Sequence, residues 1–202
     1  KRYQVTVIVF SDSELSEEEK QFYASCGCEV YVMSLGKRER AIGVLKALFL
    51  GWPVQVGLYY SRRAGKFIEK KADDKKIVIA SLVRTVEYTK HLTDTQVKVF
   101  DMVDSVGLNY KNSWKKTGNK FWRCFYRFEY PRLLRYENKF VKSSDCTFFV
   151  NRLERDYYRT AGKTVWAGHG VKEELFHYNK KVFREKPVVS FIGKMNYEPN
   201  IE

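Results

Sequence analysis

Pro187-Val188-Val189-Ser190-Phe191-Ile192-Gly193-Lys194-Met195-Asn196-Tyr197-Glu198-Pro199-Asn200, together with Thr164-Val165-Trp166-Ala167-Gly168-His169-Gly170-Val171 before it, decides how this chain is read. Each stretch is a β-rich run that passes into a glycine-bearing turn. Residues 178–186 between them are polar and basic, as a linker would be. A glycine after a buried strand and before a helix lets the backbone approach a phosphate, and the helix N-terminus offers unpaired N–H groups to receive it. Gly193 and Lys194 in one turn, and His169 and Gly170 in the other, are therefore candidates for holding a phosphate-bearing ligand. The sequence stops at Glu202, where a further helix would begin. The expectation is one lobe over residues 1–180, then a linker and the opening of a second lobe over 181–202.

Working outward, the rest of the chain repeats the strand-then-helix rhythm. Residues 3–10 are an apolar, β-branched run, followed by Ser13 or Ser16 as a helix cap with Glu17, Glu18 and Glu19 in the first turn, where carboxylates suit the helix dipole. Strands are expected at 29–34, 77–80, 96–100 (ending on Asp101) and 146–150. Helices are expected at 37–50, 61–71, 113–141 (with Pro131 kinking or restarting it) and from an Asn151 cap to 160. Strands alternating with helices at this spacing predict an α/β fold, a Rossmann-like parallel sheet with helices on both faces.

Thirty-seven Lys and Arg against 24 Asp and Glu give a formal charge of +13, which points to an anionic partner: nucleic acid, acidic lipid or a phosphorylated substrate. No apolar run approaches the roughly 18 residues of a membrane span. Cys26, Cys28, Cys124 and Cys146 lack CxxC spacing and a histidine partner, so neither a zinc site nor any other metal is expected. There is no GxxxxGK[ST] loop, no complete GxGxxG and no GxSxG elbow.

In open parallel sheets the chemistry gathers at the carboxyl ends of strands. The residues there are Ser11 and Asp12, Ser81 and Arg84, Asp101 and Asp104, Asn151 and Arg152, and the two glycine turns. Asp101 and Asp104 bracket a helix start, where one would cap it; the alternative is a carboxylate that orients a sugar hydroxyl or takes its proton. Arg84 is a surface ion-pair residue or, in a cleft, a bidentate phosphate ligand. The rhythm Arg127-Phe128-Glu129 and Arg132-Leu133-Leu134-Arg135-Tyr136-Glu137 suggests ion pairs on a solvated or inter-helical face. Upstream, Trp114-Lys115-Lys116 and Lys120-Phe121-Trp122-Arg123 mix rings with cations, as do interior packing, membrane-surface and single-strand-binding segments.

Five collinear pieces of the chain resemble family 4 glycosyltransferases, in particular the bacterial exopolysaccharide and exosortase-linked branch. They are Leu50-Gly51-Trp52-Pro53-Val54-Gln55-Val56, similar to "G-x-P-x-x-V"; Phe100 to Tyr110, similar to "D-x-V-D-x-x-S-x-x-Y"; Arg127 to Glu137, similar to "R-x-E-x-x-R-L-x-x-Y-E"; Gly168 to Phe176, similar to "P-N-G-V-D-x-x-x-F"; and Phe191 to Asn200, similar to "F-x-G-x-M-x-Y-x-P-N". His169 and Lys172 depart from the family's asparagine and aspartate, and Ser81 stands about where several relatives carry a histidine. The resemblance implies the N-terminal, acceptor-side domain of a GT-B fold with its first strand and helix preceding Lys1, then the first strand of the donor-binding domain. It implies a retaining transfer from a nucleotide-diphosphate sugar, with no cofactor or metal, to a glycan or lipid-linked acceptor in bacterial surface polysaccharide assembly. Lys194 stands where many relatives hold an arginine on the donor diphosphate. The implied location is cytoplasmic and peripheral, at the inner face of the plasma membrane, with an anionic membrane surface and no specific nucleic acid as partners. The competing expectations are a basic α/β nucleic-acid-binding module and a non-catalytic partner subunit.

Overall fold

The computed structural model describes residues 3–171 and 173–176. The chain divides after His169 into two units. The first contains six strands and seven α-helices among its described residues: β1 (Val5–Phe10), α1 (Glu17–Cys26), β2 (Cys28–Met33), α2 (Lys37–Leu50), α3 (Val54–Tyr59), α4 (Arg62–Ala72), β3 (Ile77–Ser81), β4 (Val97–Val103), α5 (Val106–Ser113), α6 (Lys120–Ser143), β5 (Cys146–Phe149), α7 (Arg152–Tyr158) and β6 (Thr164–Trp166). The second shows a 3-10 turn at Glu173–Phe176.

Among the described residues all strand pairs are parallel, as an alternating α/β sequence requires, but they fall into two sheets. One is β1-β2, in register from Val5 opposite Cys28 to Phe10 opposite Met33; the other has the order β3-β4-β5-β6. The larger sheet is covered on the face that carries Ala80, Phe100, Thr147 and Phe149, where Leu133, Tyr136, Phe140 and Val141 of α6 pack. On its opposite face Ile77, Ile79, Val97 and Val165 stay exposed, so the expected cover on both faces is present on one. The smaller sheet is tied in by a run of stacked rings, Phe10 on Tyr88 and Tyr88 on Tyr60, with centroids 5.4 and 5.8 Å apart. Tyr88 donates its hydroxyl to the Tyr59 carbonyl and accepts from the Ser61 N–H, and burial pushes its pKa up to about 12.

The boundaries follow local chemistry. Ser16, not Ser13, caps α1, in a capping box with Glu19. Residues 54–59, expected as a lead-in, form α3. The helix expected over 113–141 begins instead at Lys120, because Asn119 accepts from the N–H groups of Phe121 and Trp122, and Ser113 ends the separate α5. Pro131 lies inside α6, which runs on through it to Ser143, so it does not restart the helix as a separate element. Losing one helical bond costs about 3 kcal/mol, and burying side chains such as Leu133 and Phe140 returns about 1.5–3 kcal/mol each. No helix among the described residues is long and apolar enough to cross a membrane.

Candidate functional site

The carboxyl ends of β3 and β4 carry the two non-glycine residues of positive φ among the described residues: Leu82 at 65° and Val103 at 59°. For a β-branched residue such as Val103 this conformation is strained, and strain of this kind persists only where surrounding bonds fix it. The Leu82 N–H donates to the Asp101 carbonyl at 2.8 Å, and the Val150 N–H donates to the Val103 carbonyl at 3.2 Å. Between them the β4–β5 register slips, so that Asp101 faces Phe148 and Val103 faces Phe149. Asp101 is thus inside β4 rather than at its end, and Met102, two residues after Phe100, is buried in the core as well.

Neither Asp101 nor Asp104 caps the next helix. That role falls to Ser105, whose Oγ accepts from the Leu108 N–H. Asp101 is half-buried and accepts from the Ser81 hydroxyl at 3.4 Å, while Asp104 is exposed. Ser105 is completely buried and gripped from two sides. Its Oγ donates to Glu137 Oε2 at 2.9 Å, and its N–H donates to Glu154 Oε2 at 2.7 Å. Glu137 also accepts from the Gly107 N–H and the Tyr158 hydroxyl, at 3.1 and 2.6 Å. Burial raises the pKa of Glu137 despite those three donors. Burial first, then the charges of Asp104 and Glu137, push Glu154 up to about 7.

Arg84 is half-buried three residues beyond β3. Its Nε donates to Gln55 Oε1 at 3.0 Å, its guanidinium lies 5.2 Å from the Tyr59 ring centroid, and Gln55 Nε2 in turn donates to the Tyr110 hydroxyl. The bond to Gln55 uses only Nε of a planar fork that can also bind an oxyanion. Arg84 is therefore a positioned cation, held by α3 and α5. No hydrogen bond or ion pair links it to Asp101 or Asp104 among the described residues.

Of the solvated and inter-helical faces expected for the Arg127 to Glu137 rhythm, Glu129 and Glu137 take the inter-helical one, with no exposure at all. Glu129 accepts from the Val54 N–H at 2.8 Å, with Arg132 Nη1 3.6 Å from its other oxygen, and burial raises its pKa. Three segments quoted above for their resemblance thus meet in space: 50–56 through Val54 and Gln55, 100–110 through Ser105, Gly107 and Tyr110, and 127–137 through Glu129 and Glu137. Gln55 and Tyr110 were not singled out as site residues. Their position in the quoted segments was the only sequence signal.

At the end of β6, Arg152 lies 3.9 Å over the Trp166 ring, whose Nε1 donates to the Val150 carbonyl. His169 is exposed at the end of the first unit, and Gly170, also exposed, opens the second. Gly193 and Lys194, like the expected strand at 187–192, lie outside the described residues. A groove of about 700 Å³ between the β1–α1 loop, α1 and β2 is lined by the candidates Ser11 and Asp12 with Glu14, Lys20 and Tyr23, among others, and by none of the other candidates named above. No protein-family model matches this chain, and no curated protein matches it.

Proposed function

We propose that this chain is the acceptor-side part of a GT-B glycosyltransferase that moves a sugar, with retention, from a nucleotide-diphosphate donor to a glycan or lipid-linked hydroxyl in bacterial surface polysaccharide assembly. The observation that carries the proposal is the convergence of the 50–56, 100–110 and 127–137 segments beside Arg84, at the carboxyl ends of a parallel sheet. In this reading Asp104, exposed at the start of α5, orients or deprotonates the acceptor hydroxyl, and Asp101 supports that edge of the sheet. Arg84 binds a phosphate or a developing negative charge. Gly193, Lys194, His169 and Gly170 belong to the donor diphosphate, whose departure is stabilised more in the transition state than in the intact donor.

The test is transfer by the native polypeptide, with a panel of nucleotide-diphosphate sugars and a bacterial lipid extract, scored by nucleotide release. Arg84→Ala should lower kcat/KM at least about tenfold, the loss of one charge-assisted bond of about 1.4 kcal/mol or more, while leaving the melting temperature unchanged. Nucleotide release that is the same in wild type and Arg84→Ala would reject the role of Arg84. Tight, salt-sensitive oligonucleotide binding with no nucleotide-sugar turnover would replace the reading with the nucleic-acid one.

A further inference from the structure

The turn between α5 and α6 concentrates features that the transfer reaction does not use. From Ser105 to Phe128 there is no acidic residue, while Lys111, Lys115, Lys116, Lys120, Arg123 and Arg127 all fall within that span. The same end of the molecule shows large rings to solvent: Phe121 is 70% exposed, Phe128 52% and Trp122 46%. On α6, Phe121 and Phe128 are seven residues apart and so share a side of the helix. Lys120, Arg123 and Arg127, at spacings of three and four, form the adjoining stripe. The rings meet edge to face, Phe121 on Trp122 at 76° and Trp122 on Phe125 at 84°. Single-stranded nucleic acid needs a series of open ring faces on which successive bases stack. Edge-to-face packing offers instead a compact apolar boss flanked by cations, which is what a bilayer interface accepts: rings among the acyl and headgroup boundary, cations on lipid phosphates.

We propose that the N-terminal half of α6 and the turn before it form a docking surface for an anionic lipid bilayer. Phe121, Trp122 and Phe128 enter the interface, and Lys115, Lys120, Arg123 and Arg127 meet lipid phosphates. The surface is anchored to the fold by Asn119 at the helix start and by Arg123, whose Nη2 donates to the Thr117 carbonyl at 3.0 Å. Its ring cluster continues through Tyr126 to Tyr110, centroids 4.5 Å apart, and Tyr110 accepts from the Gln55 that holds Arg84. Docking would therefore bring lipid headgroups towards the candidate site, although binding itself requires no sugar transfer.

Co-sedimentation of the chain with phosphatidylcholine vesicles, with and without phosphatidylglycerol, tests this without donor or acceptor. Wild type should prefer the anionic vesicles, release from them as salt rises, and show a blue shift of tryptophan emission on binding. Lys120→Gln with Arg127→Gln should weaken anionic-vesicle binding by about 25-fold, roughly fivefold per cation. Phe121→Ser with Phe128→Ser should abolish the bound state and the blue shift, with far-UV circular dichroism unchanged because both rings are exposed. Three results overturn the proposal: binding independent of anionic lipid, serine variants that bind like wild type, or oligo-dT binding lost in these variants while vesicles are ignored. The last would assign the surface to nucleic acid.

Discussion

Glu154 should make this protein less stable at neutral than at mildly acidic pH. The residue is 8% exposed, its carboxylate accepts from the Ser105 N–H at 2.7 Å, and its pKa is pushed from 4.5 to about 7. In the unfolded chain the group has released its proton by about pH 5, whereas in the folded chain it keeps it to about pH 7. The folded state binds more protons in that window, so stability falls as pH rises through it and is flat above. The displacement corresponds to about 3 kcal/mol, or roughly 6–12 °C in melting temperature for a chain of this size. Glu137 and Glu129, whose pKa values burial also raises, act in the same direction. Glu39, held down to about 2 first by Arg63, then by the Ser61 hydroxyl and the Gly36 N–H, acts in the opposite one and loses its contribution only below about pH 4.5. Glu154→Gln keeps an oxygen for the Ser105 N–H but has no charge to desolvate. Urea unfolding followed by far-UV circular dichroism between about pH 5 and pH 8 should show a shallower decline for this variant, which should be the more stable protein at about pH 8. Parallel profiles for the two proteins, or a variant weaker than wild type at the alkaline end, would refute the assignment of Glu154 as a proton held by burial.

Two further stability predictions concern the supports of the site, and a third is a control. Gly57→Ala would set a Cβ 2.5 Å from the Gly43 carbonyl oxygen and 2.7 Å from Ala47 Cβ, so α2 and α3 must separate; the expected loss is about 1–3 kcal/mol in urea unfolding. Gly118→Ala, with nothing within 4 Å, should stay within about 0.5 kcal/mol of wild type by the same measurement. Glu129→Ala removes the acceptor for the Val54 N–H and leaves Arg132 beside an apolar gap, a loss of about 3–5 kcal/mol. Limited proteolysis should then cut first around residues 54–59; a wild-type cleavage pattern would show that α3 does not depend on Glu129.

The parallel α/β class was legible because apolar runs such as Val5–Phe10 and Ile77–Ser81 alternate with helical periodicity, and that pattern depends on burial alone. What stayed hidden depended on tertiary partners. Nothing in the Arg127 to Glu137 spacing says that two of its carboxylates are sealed from water, since surface ion-pair helices show the same rhythm. The α5–α6 break was readable in principle, from Gly118-Asn119 ahead of an apolar run, but the continuous aromatic content of 113–141 masked it. The bulge that places Asp101 within β4 comes from strand pairing between residues more than forty positions apart, and no local signal marks it.

The segments that carry the family resemblance therefore look less like chemistry than like a frame for it. Helices α3 and α5 have six and eight residues, too few to hold themselves together in water. The Pro53 side chain at the start of α3 cannot accept a hydrogen bond, so Glu129 takes the Val54 N–H instead. At the start of α5, Glu137 takes the Gly107 N–H and the Ser105 hydroxyl. These carboxylates are eight residues apart on one continuous helix, about 12 Å along its axis, and each is placed where a helix N-terminus favours negative charge. Helix α6 thus works as a post with two brackets. One bracket fixes the helix that carries Gln55, the other the helix that carries Tyr110, and those two side chains are linked and orient Arg84 through Gln55. A hydrophobic pair of similar volume would fill either position at no loss of stability, but it could not bind a helix N-terminus. Buried carboxylates at this spacing make sense if the position of Arg84 matters more than the stability of the fold, which is why loss of Glu129 and loss of Arg84 should share one functional consequence while differing in their effect on unfolding.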